Sequence, residues 1–155
     1  MVKEFEDYFT ELQADMVSIC LEYLDDKANM VYIYCSYEEG LISSDFFYKI
    51  NGKVLERHKL NDAIDEEDNE REISYNVSIE RQRGVIKIIN KNIEEIIHLC
   101  KKYNREMPSE MKLIYNVDTN KLKANYKYDL VYSDDPIKTA DDISYEWFEK
   151  VQEEI

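Results

Sequence analysis

Glycine is nearly missing from this 155-residue chain, which has only Gly40, Gly52 and Gly84. No G-x-G-x-x-G or Walker-type loop can be written with them, so neither glycine device that brings backbone N–H groups onto a phosphate is available. Histidine is as scarce: His58 and His98 stand in no metal-ligand spacing such as H-E-x-x-H, and no second cysteine lies two to four residues from Cys20, Cys35 or Cys100. No metal and no cofactor are expected. An odd number of widely separated thiols fits free cysteines in a reducing compartment better than a disulfide framework. His98 and Cys100, two residues apart on one helix, point away from each other, so Cys100 is expected to be a small buried hydrophobe and not a nucleophile. No apolar run approaches the roughly 20 residues needed to span a bilayer, and the start lacks the basic and apolar regions of a signal peptide. A cytoplasmic location is expected. Positive charge is also short, with 20 basic against 34 acidic residues and a net charge of -14. That balance works against nucleic acid or anionic lipid as partner and favours a basic one.

What is present suffices for a core. The chain is 44% hydrophobic, with 13 tyrosines and five phenylalanines, and its length fits one domain, residues 1–155, burying roughly 70% of its unfolded surface. From Lys3 to Leu24, Phe5, Phe9, Leu12, Met16, Ile19, Cys20, Tyr23 and Leu24 recur at helical spacing, while Glu4, Asp7, Glu11, Asp15 and Glu22 make the other face acidic. Met30–Tyr37, Phe46–Ile50 and Lys53 to about Lys59 read as three strands, joined at Glu39-Gly40 and at Asn51-Gly52, a strong hairpin signal. Ser78 is a plausible N-cap for a helix whose apolar face includes Ile79, Ile86, Ile89, Ile93, Ile96, Ile97, Cys100 and Tyr103; Gly84 predicts a late start or a kink. Met111–Val117 and Leu122–Tyr128 form a second hairpin, with Lys123, Asn125 and Lys127 on a wet, cationic face opposite Leu122, Ala124, Tyr126 and Tyr128. Thr139 and Asp142 resemble a capping box for a last helix through Ile143, Trp147, Phe148 and Val151. The expected fold class is α+β: a single antiparallel sheet of about five strands, with N-terminal, long central and C-terminal helices, largely on one face.

Between these elements, residues 60–77 hold no clear period. The stretch 62–72 carries seven acids and one base, and its first part is expected to be solvated. Residues 1–27 (eight acids, two bases) and 129–155 (nine and two) are acidic as well, whereas 73–128 has eleven bases against six acids. Such segregation is either a solubility device or an acidic surface complementary to a cationic partner. Glu66-Glu67 and Asp134-Asp135 lie in hydrophilic runs, unlike an acid/base pair, which needs one pKa raised by burial. A small carboxylate-dependent hydrolase and an acidic self-associating structural protein stand as alternatives to a binding protein, and the oligomeric state stays open.

The order of elements resembles the YezG-like immunity proteins, which include the EsaG-type antitoxins of Gram-positive bacteria. The pieces that match are Val31-Tyr-Ile-Tyr34 after an acidic helix, Phe46-Phe-Tyr48 leading into Asn51-Gly-Lys53, Tyr75-Asn-Val-Ser78 opening the long helix, Tyr126-Lys-Tyr-Asp129 closing the second hairpin, and Trp147. The resemblance implies a cytoplasmic, non-enzymatic immunity protein that binds and neutralises a secreted polymorphic toxin, typically at its nuclease domain. A nuclease presents a basic groove to its phosphodiester substrate, so Asp65, Glu66, Glu67, Asp68 and Glu70 are the expected partner-binding residues. The acids of the first helix are a second candidate surface.

Overall fold

A computed structural model of the chain describes residues 3–63 and 75–154. Helix α1 spans Phe5–Tyr23, and strands β1 (Met30–Glu38), β2 (Leu41–Ile50) and β3 (Lys53–Glu56) form a meander. A short 3₁₀ turn (Leu60–Ala63) and helix α2 (Ile79–Lys102) follow, then the hairpin of β4 (Glu110–Asn116) and β5 (Lys121–Lys127), then helix α3 (Ala140–Glu153). All five strands join one antiparallel sheet in the order β3-β2-β1-β4-β5, an α+β fold. Glu39 and Gly40 (φ 51° and 82°), like Asn51 and Gly52 (φ 51° and 78°), supply the paired left-handed residues of two-residue hairpin turns.

The helices do not share one face. Val31, Ile33 and Cys35 of β1, with Phe46 and Tyr48 of β2, pack against α1 and α2. Tyr32, Tyr34, Phe47 and Val54 point the other way and pack against Trp147, Phe148 and Val151 of α3. A strand covered on both sides gains nothing from alternating with polar residues, which is why β1 reads as an unbroken apolar run.

Most element ends fall within one or two residues of expectation, and three places are instructive. β2 begins at Leu41, because Ser43, Ser44 and Asp45, polar as they are, pair through their backbones with Ser36, Cys35 and Tyr34. β3 stops at Glu56, where the chain turns with Lys59 N–H donating to the Glu56 carbonyl (2.9 Å) and sends Leu60 into the core instead of into solvent. Helix α2 starts at Ile79, with the Ser78 hydroxyl accepting from Arg81 N–H (3.3 Å), and passes through Gly84 without a break. Ile79 is exposed and does not join the core-facing row.

Candidate interaction surfaces

The outward side of α1 carries Glu4, Glu6, Asp7, Glu11, Asp15 and Glu22, all exposed. Some of this charge is tied down. Glu11 pairs with Lys3 (2.8 Å), Glu6 with Arg105 (2.9 Å), and Asp15 accepts from the Asn92 amide (2.8 Å). Asp7 accepts from the Glu4 backbone N–H (2.8 Å), which belongs at a helix N-terminus. At the other end the logic reverses. The last turn holds no basic residue, Glu22 sits where the backbone dipole is negative, and Asp25 and Asp26 follow in left-handed conformations (φ 54° and 62°) that glycine adopts more cheaply. Beside α1, the exposed side of α2 is mixed in charge, with Arg83, Lys87, Lys91, Lys101 and Lys102 set among Glu80, Glu94 and Glu95.

On the opposite face of the sheet, α3 packs mainly over β2 and β3. The result is a cleft of about 640 Å³ whose sheet wall carries Lys112, Lys123, Asn125 and Lys127, whose helix wall carries Glu146, Lys150 and Glu154, and whose floor includes Tyr32 and Trp147. Lys112 lies over the Trp147 ring, 5.5 Å from its centre. Glu110, only 2% exposed, stands behind the cleft, its Oε1 3.6 Å from the Lys112 ammonium and 3.8 Å from that of Lys127. A second buried acid, Glu38, accepts through Oε1 from the backbone N–H groups of Val131, Tyr132 and Ser133 (3.0, 3.4 and 3.3 Å), anchoring the chain that links β5 to α3. Burial and the nearby Glu110 carboxylate hold the Tyr34 hydroxyl well above the usual phenol range.

A smaller cavity of about 150 Å³ gathers Asp45, Glu56, Arg57, His58 and Phe148. One of its two carboxylates is engaged structurally: Asp45 pairs with Arg57 and accepts from the Ser144 hydroxyl (3.1 Å), joining β2, the end of β3 and α3. His58 and His98 are both exposed. All three cysteines are free and buried, and burial pushes their thiols up, Cys35 to about 12. No group of three or more metal-binding side chains is found among the described residues, nor is any helix long and apolar enough to cross a membrane.

Asp65, Glu66, Glu67, Asp68 and Glu70 lie outside the described residues, whereas the α1 acids are placed as an exposed row. The alternation of Lys123, Asn125 and Lys127 reads as a wet, cationic face, and the hairpin register places these residues on one side as that pattern requires; that α3 makes this side one wall of a cleft was not legible. Lys150 and Trp147 reach the cleft only through tertiary packing, and Glu38 and Glu110 gave no local sign of being buried. No protein-family model matches this chain, and no curated protein does.

Proposed function

We propose that this protein is an immunity protein that acts in the cytoplasm, binding a secreted polymorphic toxin and neutralising it by presenting an acidic surface to the basic groove of a nuclease domain. The observation that carries the acidic surface is the C-terminal end of α1. Glu22, Asp25 and Asp26 each occupy a position where elementary helix physics prefers a cation or a glycine. Acids kept where they cost stability are understandable if a partner uses them. The class of partner rests on the resemblance to the YezG-like proteins, and on electrostatics: a surface of this sign speeds encounter with a phosphate-binding groove.

The test is inhibition. The product of the neighbouring gene, or its C-terminal domain, is assayed for cleavage of DNA and RNA with and without an equimolar amount of this protein. Full suppression is expected. Neutralising Glu22, Asp25 and Asp26, or separately Asp65, Glu66, Glu67, Asp68 and Glu70, to Asn or Gln should slow association and flatten its dependence on salt for the surface that is used. Undiminished nuclease activity at a several-fold excess of this protein would remove the reading altogether.

A further inference from the structure

Strand β5 ends the sheet on one side, and every one of its residues except Ala124 is exposed. Its outer backbone groups pair with no strand among the described residues. The opposite edge is different: β3 has only four residues, and α3 and the 3₁₀ turn both lie against it. Along β5, Lys121, Lys123, Asn125 and Lys127 point to the α3 side, about 6.7 Å apart at each two-residue step. Leu122 and Tyr126 point to the α1 side and stay 38% and 37% exposed. Of the three lysines, Lys127 alone has an ion-pair partner among the described residues, the buried Glu110.

We propose that the outer edge of β5 accepts an extended segment of another protein in which acidic and apolar side chains alternate. An added strand carries its same-face side chains at the same two-residue repeat, about 5 Å from those of its neighbour. Its acids would stand opposite Lys121, Lys123 and Lys127, and its apolar residues would cover Leu122 and Tyr126. A second copy of β5 does not fit, because lysine would meet lysine. Tyr126 already packs on Phe9 (ring centres 5.8 Å) and accepts from the Gln13 amide (2.6 Å); lysines on an edge also serve simply to discourage pairing, but that role gives no reason to keep Leu122 exposed on the other side of the same strand. The attraction is local. In a chain of net charge -14, the lysines are felt within a Debye length of about 8 Å, so they select a short acidic strand and not a polyanion drawn from afar. The lysine row of this surface lies across the sheet from α1, and the proposal is independent of the immunity reading.

The experiment uses the intact protein and a synthetic peptide as long as β5 in which Glu and Val alternate, with a Lys-Val peptide as control. Binding is followed by titration calorimetry and by hydrogen exchange of residues 121–127. The expected result is salt-sensitive binding of the Glu-Val peptide alone, with slowed exchange across 121–127. The double variant Lys123→Glu, Lys127→Glu should bind the Glu-Val peptide at least about tenfold more weakly and gain affinity for the Lys-Val peptide; Lys123→Gln, Lys127→Gln makes the same test should the reversed charges disturb folding. No binding, binding without slowed exchange at 121–127, displacement of the peptide by inorganic tripolyphosphate from the cleft, or concentration-dependent self-association through β5 would each overturn the proposal.

Discussion

A carboxylate at a strand terminus ordinarily stays in water, yet Glu38 is buried and its Oε1 takes three backbone N–H donors from residues 131–133. Removing that acceptor leaves those donors without their partner in a part-buried turn, a cost of about 1–3 kcal/mol. Glu38→Ala should therefore lower the unfolding free energy by that amount, read from urea denaturation, while Glu38→Gln, which keeps an acceptor oxygen, should lose less; equal losses would mean that the acceptor is not what matters. Nothing near Glu38 in the chain announces this role, because its donors lie more than ninety residues away. The same holds for Asp45, whose partners Arg57 and Ser144 come from different elements. Where partners are local, the sequence was readable: Thr139 and Asp142 cap α3 reciprocally, with the Thr139 hydroxyl 3.4 Å from Asp142 N–H and Asp142 Oδ2 2.9 Å from Thr139 N–H.

Helices follow their own periodicity and caps, so α1, α2 and α3 were legible almost to the residue, with Gly84 as the exception. That glycine is exposed, its φ is not positive, and a Cβ added there meets nothing within 4 Å. Gly84→Ala is expected to raise stability by about 0.5–1 kcal/mol, read as a higher denaturation midpoint. The C-terminal end of α1 makes a paired expectation. Glu22→Lys should stabilise the isolated protein by about 0.3–1 kcal/mol through the helix dipole and also slow association with a basic partner. A variant that gained stability with no change in association rate would free Glu22 from any interface. Strands are harder to bound than helices, since a residue such as Ser43 belongs to β2 only because β1 lies alongside it. For the same reason the distribution of helices over two faces of the sheet was not visible. Tyr32 and Tyr34 read as core in any case, and only α3 decides what covers them.

At the scale of the whole molecule, both sides of the sheet are held together by groups that must stay protonated. Cys20, Cys35 and Tyr48 lie on the α1 and α2 side, Tyr34 on the α3 side, and burial raises the pKa of each, Cys35 to about 12. In the unfolded chain a thiol loses its proton near pH 8.5 and a phenol near pH 10. Above those values the unfolded state releases protons that the folded state retains, so folding stability is fully present below about pH 8.5 and is lost as pH rises toward the folded values. The melting temperature should accordingly hold steady from pH 7 to 8.5 and then fall through pH 11. Growing net negative charge acts in the same direction, starting from -14, but self-repulsion is screened by salt and burial of a neutral thiol is not. Repeating the pH series at high ionic strength separates the two. If burial governs, most of the alkaline fall survives added salt, and Cys35→Ala, which has no proton to lose, has a shallower fall than the parent whatever its starting stability. A fall that vanishes in salt and is unchanged by Cys35→Ala would assign it to overall charge and not to the protonated core.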